Sequence, residues 1–141
     1  MHGRTHKQRT KNTKVNTEGP RIIKEILQVP VMHNGDAFTL QDADKLASET
    51  NCDGVMSARG LLSNPALFSG FKQVPLECIE RYLQIAIQIG GVPYHILHHH
   101  VMFMLYSHHQ FLSNDLIEFA DCNSVASIVD FFEMRGLPLN I

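Results

Sequence analysis

The sequence predicts an α/β segment followed by a helical domain, on the basis of three observations. Two similar units follow one another, each with a short apolar run, a glycine-containing loop and an amphipathic segment. About 25 residues separate equivalent positions of the two units, which is the spacing of repeated strand–helix pairs in a parallel sheet. No strand pattern follows Pro75, where apolar residues recur only at helical spacing. The parallel sheet is therefore either doubly wound or part of a β/α barrel.

The first unit opens with a short helical pattern in the range 21–27. The apolar run 28–33 then ends at Asn34-Gly35-Asp36, which indicates a buried parallel strand followed by a tight loop. Thr39-Leu40-Gln41-Asp42 has the pattern of a capping box, so a helix should begin there and end at Asn51. The residues expected to face inward from this helix are Leu40, Ala43, Leu46 and Ala47.

The second unit repeats this order. The apolar run 53–58 ends at Arg59-Gly60, which predicts a second buried strand followed by a loop. Asn64-Pro65 combines a favoured N-cap residue with proline at the first helical position, so a helix is expected to begin there. We therefore assign residues 1–70 to the β/α segment and residues 71–141 to a helical domain.

Three helices are predicted after Pro75. The first ends at Gly90-Gly91, the second begins at Pro93, and the third covers about Ser124–Met134 before Gly136. Their expected inward residues are, in chain order, Leu76, Ile79, Tyr82, Leu83 and Ala86, then Ile96, Leu97, Val101, Met104 and Leu105, then Val125, Ile128, Val129 and Phe132.

Composition excludes several classes of protein. The chain has 141 residues, of which 44% are hydrophobic and 18% charged. No apolar run approaches the roughly 20 residues of a membrane-spanning helix, and the polar start does not favour secretory export. The widely spaced Cys52, Cys78 and Cys122 suit neither a disulfide framework nor a metal knuckle. We expect a soluble, reduced, intracellular protein, cytoplasmic or nuclear, with no membrane association.

Charge is unevenly distributed along the chain, whose formal net charge is −2. Residues 1–24 contain seven Lys/Arg and one acidic residue, whereas residues 25–141 contain five Lys/Arg and 13 Asp/Glu. Two interpretations of the basic start remain open. It could bind phosphate or an RNA backbone, or it could be a solvated terminus.

Three loop motifs carry residues suited to phosphate binding: His2-Gly3-Arg4-Thr5, Asn34-Gly35-Asp36 and Arg59-Gly60. In a β/α barrel the loops after the strands form the active site, and the last two commonly hold a phosphate. Gly35 and Gly60 would let the backbone approach an anion closely, and Arg59 adds a charged donor. Two such motifs at consecutive strand ends predict a phosphate site.

Together these motifs resemble those of tRNA-dihydrouridine synthases. The similar segments are His-Gly-Arg-Thr at 2–5, Val-Pro-Val-x-x-Asn-Gly-Asp at 29–36, and Asp-Gly-Val-Met-x-Ala-Arg-Gly-Leu-Leu-x-Asn-Pro-Ala-Leu-Phe at 53–68. Pro75–Ile79 and the His- and Met-rich stretch His98–Met104 make the sequence most similar to the eukaryotic branch that acts at D-loop positions 20a and 20b. The resemblance runs from His2 to about Gly136, with the same order and spacing.

The resemblance implies an FMN enzyme that reduces uridine in the tRNA D-loop to 5,6-dihydrouridine, with NADPH or NADH as reductant. It also implies that the chain is the C-terminal part of a (β/α)8 TIM barrel followed by a small all-helical domain that contacts tRNA. By motif position, His2 would lie beside the isoalloxazine ring and Arg4 near the substrate mouth. The residues that would bind the FMN phosphate are Asn34, Gly35, Arg59 and Gly60, with Asp36 orienting the loop.

The sequence departs from the family pattern at the catalytic position. The family's proton donor is a Cys in an Asn-Gly-Cys-Pro-like motif, which these 141 residues do not contain, so we assign no catalytic residue. Cys52 precedes the second strand, which favours a structural role. The family's flavin-contacting Lys is also absent, and only the last two barrel strands are whole. Residues 61–141 contain three Lys/Arg and seven Asp/Glu, a balance that disfavours tight tRNA binding by this segment alone.

A cluster of histidines raises the question of a metal site; its members are His95, His98, His99, His100, His108 and His109. His95 and His99 are four residues apart and could share one helical face, as zinc ligands do. No His-Glu-x-x-His pattern and no neighbouring Cys accompany them. A helix whose polar face uses histidine is the favoured interpretation, and we predict no metal.

Three functional interpretations follow. The first is the C-terminal portion of an FMN-dependent tRNA-dihydrouridine synthase, with weak or absent flavin binding and no turnover by this chain alone. The second is a non-catalytic tRNA- or partner-binding fragment that retains the helical domain. The third is a fragment of a different phosphate-binding barrel. Incomplete barrel edges would expose unpaired backbone and apolar strand faces, so self-association is also expected.

Overall fold

The computed structural model describes residues 1–5 and 13–141, which form two compact units. The first, called here the β/α unit, contains Met1–Leu61 and Leu67–Lys72. The second, the helical unit, contains Leu62–Ala66 and Gln73–Ile141. Three of the basic residues counted above, Lys7, Arg9 and Lys11, lie outside the described residues. The domain boundary expected after residue 70 stays a prediction.

Helices make up most of the regular structure in the described part of the chain. The elements are α1 (Glu18–Ile26), β1 (Met32–Asn34), α2 (Leu40–Thr50), β2 (Gly54–Met56), α3 (Arg59–Ser63), a 3-10 helix (Leu67–Ser69), α4 (Leu76–Ile89), α5 (Tyr94–Tyr106), α6 (Ser113–Ala120) and α7 (Val125–Glu133). Over residues 1–5 and 13–141, none of these helices combines the length and the apolar character that crossing a bilayer requires.

The two strands form a parallel sheet, which confirms the parallel pairing predicted from the sequence. Met32 lies opposite Gly54 in the register of the pair. Asn34 lies opposite Met56 and also makes a parallel bridge with His2. Each strand has three residues, which is shorter than the apolar runs from which it was predicted. The bridge brings the start of the chain beside β1, and this arrangement positions His2 near the loop after that strand.

The two faces of this sheet differ in burial. Side chains alternate between faces along a strand, and His33 points to a face where it is fully buried. Met32 and Met56 share the opposite face, where they are 51% and 43% exposed. Parallel sheets are normally covered on both faces. Self-association through the exposed face stays a prediction.

The helix between the strands begins and ends where its sequence signals predict. The Thr39 hydroxyl accepts the backbone N–H of Asp42 at 3.0 Å, and the Asp42 carboxylate accepts the N–H of Thr39 at 3.0 Å, so the capping box is confirmed. Asn51 ends α2 in the left-handed region, with φ at +52°. Ala43 and Leu46 bury the inner face against Ala37.

Two predictions about the second unit were wrong. Arg59-Gly60 was expected in a loop, but these residues form the first turn of the short helix α3. The helix expected from Asn64-Pro65 is a turn followed by the 3-10 helix. The Asn64 side chain accepts the N–H of Ala66 at 3.1 Å, as expected of an N-cap, but Gly70 with φ at +84° ends the segment before an α-helix can form.

The helical unit buries a core of its own, to which α4, α5, α6 and α7 all contribute. The fully or almost fully buried residues are Val74, Ile79, Leu83, Ala86, Leu97, Val101, Met104, Leu105, Phe111, Phe119, Ile128, Phe131 and Phe132. The three predicted helices are confirmed as α4, α5 and α7. The predicted inward orientation of Ile96 was wrong, because this side chain is 41% exposed.

The sequence reading missed α6, which has only eight residues. Phe119 is the one fully buried residue of this helix, so the apolar face of α6 is small. The helix is held instead by polar contacts at its start and side. Asp115 accepts the backbone N–H of Leu112 at 2.7 Å and the Nε–H of Arg135 at 2.8 Å. Arg135 also places its guanidinium carbon 3.8 Å from the ring centre of Phe131, so it joins α6 to α7.

Candidate functional site

A cavity of about 220 Å³ lies where the chain leaves the carboxyl ends of β1 and β2. It is lined by His2, Asn34, Gly35, Asp36, Ala37, Phe38, Ser57, Ala58, Arg59 and Gly60. Six of the seven residues that the sequence analysis assigned to cofactor or substrate binding therefore line the same cavity. The seventh, Arg4, lies behind the lining and contacts it through Asp36.

Backbone conformation shapes the first loop of this cavity. Gly35 has φ at +132°, and Asp36 follows with φ at +55°, a left-handed conformation that Asp tolerates better than most residues. A Cβ atom on Gly35 would lie 2.6 Å from Cγ1 of Val15 and 3.4 Å from Cε1 of His2. Glycine is therefore needed here both for its conformation and for the close approach of the segment 13–17.

An arginine–carboxylate pair holds the loop in place. Arg4 donates from Nη1 to Oδ1 of Asp36 at 2.8 Å and from Nη2 to Oδ2, so the pair is bidentate. Its Nε–H also donates to the carbonyl of Thr13 at 2.6 Å. The Arg4 side chain is only 7% exposed. These hydrogen bonds from Arg4 lower the pKa of Asp36, so this carboxylate stays ionised.

Arg59 occupies a different position in the same network. Its Nη2 lies 3.5 Å from Oδ1 of Asp36, which is a long contact, and its side chain is 48% exposed. Its guanidinium carbon lies 5.3 Å from the ring centre of Phe38. Because Arg4 neutralises Asp36 and Arg59 is only loosely held, the Arg59 guanidinium is accessible to an anion in the cavity.

At the floor of the cavity, the segment after β1 and the segment after β2 pack closely against each other. The Ser57 hydroxyl donates to the Ala37 carbonyl at 2.6 Å, and both residues are buried. Gly60 packs directly against this hydrogen bond. A Cβ atom there would lie 2.4 Å from the Ala37 oxygen and 2.5 Å from Ser57 Oγ. Glycine at position 60 therefore allows the two loops to pack closely beneath the cavity.

A second cavity of about 380 Å³ lies between the segment 14–17 and α2. Its charged lining residues are Lys14, Asp36, Asp42, Lys45 and Glu49. Three carboxylates outnumber two ammonium groups, so this cavity does not favour an anion. The first cavity, which Arg59 lines and which we call the Arg59 cavity, is the better candidate for a phosphate site.

His33 is a buried polar residue that the sequence reading did not single out. Its side chain has no exposed surface, and among the described residues neither ring nitrogen has a hydrogen-bond partner. Burial lowers the pKa of His33 from its ordinary value of 6.5, because a charged imidazolium would be desolvated. The signal available in the sequence was a histidine in the middle of an otherwise apolar strand.

We expect His33 to make the protein less stable in mild acid. With a lowered pKa in the folded state, His33 leaves stability unaffected above pH 6.5, where it is neutral both folded and unfolded. Stability should then fall as the pH drops below 6.5, because only the unfolded chain gains the proton. Thermal unfolding of the chain between pH 7.5 and 5 measures this loss.

The matched variant is His33→Leu. It replaces the titrating imidazole with an apolar side chain of similar size. It should unfold at the same or a higher temperature than the wild type at pH 7.5, and its melting temperature should fall less toward pH 5. His108, whose pKa burial also lowers, remains in both proteins as a common background. An unchanged pH profile in the variant would show that His33 is not the titrating group.

Two histidines of the helical unit, His98 and His108, pack against phenylalanine rings of that unit. The Nε2–H of His98 donates to the Phe119 carbonyl at 2.9 Å, and the two rings stack with centres 4.7 Å apart. His108 is buried, and His109 hydrogen-bonds to Gln73. Within residues 1–5 and 13–141, no group of three or more His, Cys, Asp or Glu side chains is placed to hold a metal ion.

The three cysteines are free thiols, and none of them is among the residues that line the cavity. The Cys52 thiol lies 3.9 Å from the Pro20 carbonyl, beside α1. Burial raises the pKa of Cys78 and of Cys122, which keeps these thiols protonated at neutral pH. These surroundings are those of structural cysteines.

The fold and the cavity define a class of protein: a parallel α/β segment with a loop-lined cavity at the carboxyl ends of its strands. The family model for dihydrouridine synthase matches residues 1–119. The chain belongs to the dihydrouridine synthase family.

Individual relatives indicate the branch. A Homo sapiens tRNA-dihydrouridine(20a/20b) synthase-like protein is 43% identical over 105 residues, which cover 74% of this chain and 32% of the relative. The Saccharomyces cerevisiae tRNA-dihydrouridine(20a/20b) synthase is 36% identical over 135 residues, covering 94% and 36%. A Mus musculus tRNA-dihydrouridine(16/17) synthase-like protein is 32% identical over 140 residues, covering 96% and 29%. The similarity supports the 20a/20b branch, and the chain spans about a third of the length of these relatives.

Proposed function

We propose that this chain is the C-terminal portion of an FMN-dependent tRNA-dihydrouridine synthase, comprising the end of the barrel and the helical domain. The observation that carries the proposal is the Arg59 cavity, where the sequence-derived residues of two strand ends and His2 meet. In the intact enzyme class, the flavin would supply hydride chemistry for uridine reduction, with NADPH or NADH as its reductant.

The cavity fits the phosphate end of FMN. Its volume of about 220 Å³ is below the roughly 300–1,000 Å³ of a site that holds a whole drug-sized ligand, so it suits one end of the cofactor. Glycine at position 60 lets the two loops pack closely at the floor of the cavity, where a Cβ atom would clash with Ala37 and Ser57. The donor chemistry also suits a phosphate, since an accessible arginine lies beside glycine-rich backbone.

Each residue of the site then has a distinct role. Arg59 would pair with the phosphate, while the backbone around Gly35 and Gly60 allows its close approach. Arg4 and Asp36 would fix the loop that carries Gly35, because they already bind each other. His2, held beside Asn34 by the bridge, would face the flavin side of the cavity. Contact of Arg4 with substrate stays a prediction.

For the 141-residue chain alone we propose weak flavin binding and no turnover. None of Cys52, Cys78 and Cys122 lies in an Asn-Gly-Cys-Pro motif, so this sequence supplies no counterpart of the family's proton donor. The second candidate function is a non-catalytic tRNA- or partner-binding fragment. The separate core of the helical unit favours it, because that unit has the buried apolar residues of an independent domain.

Flavin titration tests the phosphate site. We expect the chain to quench FMN fluorescence on binding, and to bind riboflavin, which lacks the phosphate, at least about tenfold more weakly. Arg59→Ala should reduce FMN affinity to the level of riboflavin, because the charged donor is lost. Arg59→Lys should keep part of the affinity, since it retains charge without bidentate geometry.

Arg21→Ala provides the control for a change in net charge. Arg21 is exposed and pairs with Glu18 and Glu25 on α1, outside the cavity lining. FMN affinity should be unchanged in this variant. Equal affinity for FMN and riboflavin, or FMN binding that survives Arg59→Ala, would count against the proposed phosphate site.

A further inference from the structure

Phe38 lines the Arg59 cavity, and the sequence analysis gave this residue no role. Phe38 is 46% exposed, so burial in the core of the β/α unit does not account for the position of its ring. The ring meets a cation instead, because the guanidinium carbon of Arg59 lies 5.3 Å from its centre. That distance is within the roughly 6 Å over which a cation is attracted to a ring face. The contact indicates that the ring positions the arginine.

The backbone of Phe38 is held by the start of α2. The Asp42 carboxylate that completes the capping box also accepts the backbone N–H of Phe38, at 3.2 Å. The same carboxylate oxygen accepts the N–H of Thr39 at 3.0 Å. Two consecutive backbone groups are therefore fixed at the N-terminus of an 11-residue helix. The ring of Phe38 extends from an anchored backbone, which allows it to restrain a longer and more flexible side chain.

Arg59 is such a side chain, because its polar contact is weak. Its Nη2 lies 3.5 Å from Oδ1 of Asp36, and Arg4 already binds that carboxylate through both oxygens. A long side chain that is held only in this way loses conformational freedom when it binds an anion, and this loss lowers affinity. Contact with the Phe38 ring limits that freedom before the anion arrives.

A phenyl ring suits this position better than a charged partner. Attraction between a cation and a ring acts through the ring face, and phenylalanine has no acceptor that competes with a phosphate for the guanidinium N–H groups. A second carboxylate beside Arg59 would occupy those N–H groups and repel a phosphate. The ring therefore restrains Arg59 and leaves its hydrogen-bonding groups available for an anion.

We propose that Phe38 is a positioning residue for phosphate recognition, which holds the Arg59 guanidinium at the Arg59 cavity by a cation–π contact. The proposal rests on the proposed function for its ligand, the phosphate of FMN. It adds a residue outside the Asn34-Gly35-Asp36 and Arg59-Gly60 motifs from which the site was predicted. Because Phe38 acts through Arg59, its effect on binding should disappear when Arg59 is removed.

The first measurement is a flavin titration of the full chain carrying Phe38→Leu, which removes the ring and keeps an apolar side chain. We expect the affinity for FMN to fall about fivefold, which corresponds to about 1 kcal/mol for one partly exposed cation–π contact. The affinity for riboflavin should be unchanged, because riboflavin has no phosphate for Arg59 to bind. Phe38→Tyr retains the ring and should bind FMN like the wild type.

A double-mutant cycle with Arg59→Ala separates positioning of the arginine from direct contact with the flavin. In the Arg59→Ala background, Phe38→Leu should leave FMN affinity unchanged, because the ring then has no cation to hold. A loss that persists without Arg59, or that is equal for FMN and riboflavin, would show that the ring contacts the flavin itself and would overturn the proposal. Phe68→Leu is the matched control, since Phe68 is 44% exposed and outside the cavity lining, and it should bind FMN like the wild type.

A readout without ligand is available because the chain contains no tryptophan. Phe38→Trp introduces a single indole at the cavity. Its emission maximum should move to longer wavelength when Arg59→Ala is added, since the guanidinium no longer shields the ring from water. An unchanged emission maximum would overturn the contact on which the proposal depends.

The remaining outcomes distinguish this proposal from the proposed function. If the wild type prefers FMN to riboflavin but Phe38→Leu binds FMN equally well, only the role of Phe38 is overturned. If the wild type shows no preference for FMN, the phosphate site itself is overturned, and the role of Phe38 with it. Circular dichroism should give the same melting temperature for the wild type and each Phe38 variant, and a drop that parallels the loss of affinity would mean that the ring serves packing alone.

Discussion

Replacing Gly60 with alanine should destabilise the protein by about 3 kcal/mol and remove FMN binding. The added Cβ would lie 2.4 Å from the Ala37 oxygen, 2.5 Å from Ser57 Oγ and 2.8 Å from Leu67 Cδ1. The first two atoms belong to one buried hydrogen bond, so neither can withdraw without leaving a polar group unpaired. Urea unfolding of the chain gives the free energy, and flavin titration gives the affinity.

Gly54→Ala is the control for this substitution. Gly54 lies in β2, and a Cβ there would come within 3.3 Å of only the Met32 side chain, at its flexible methyl end. The variant should unfold within about 1 kcal/mol of the wild type, because removing a glycine also reduces the entropy of the unfolded chain. If Gly60→Ala proves as stable as Gly54→Ala, the close packing under the cavity is not what the structure describes.

Features set by neighbouring residues could be predicted from the sequence. The capping box of Thr39 and Asp42 and the left-handed Asn51 depend on a few adjacent positions, and both bounds of α2 were right. The parallel pairing of β1 and β2 followed from the repeated strand–helix order. The residues grouped by loop motif do line one cavity, because equivalent ends of parallel strands meet at one edge of a sheet.

Features set by distant contacts could not be predicted in this way. α6 depends on Arg135, which lies 15 residues after the helix ends and which no local pattern connects to Asp115. The helix expected from Asn64 failed because a competing turn ended it within a few residues. The burial of His33 without a hydrogen-bond partner among the described residues depends on the segments that pack on its face of the sheet. The exposure of Ile96 depends on which side of α5 the core occupies.

Asp36→Asn should destabilise the chain by about 2–3 kcal/mol at pH 7. Asn keeps the shape of the side chain and tolerates the φ of +55°, so the substitution removes charge without adding backbone strain. It leaves the Arg4 guanidinium, 7% exposed, without its bidentate carboxylate. Urea unfolding measures the effect. Arg21→Ala, which breaks an exposed pair on α1, should change stability by less than about 1 kcal/mol.

The pH dependence of this difference separates the ion pair from a merely structural role. Arg4 lowers the pKa of Asp36 in the folded state, so the wild-type chain has the full contribution of the pair well above the ordinary value of 3.8. That contribution is lost as the pH falls through 3.8 and below, because the unfolded chain then takes up a proton on Asp36 that the folded protein does not. The wild type and Asp36→Asn should therefore converge in stability between about pH 5 and pH 2. A gap that stays constant over this range would mean that shape at residue 36, and not its charge, holds the loop that leads into the cavity.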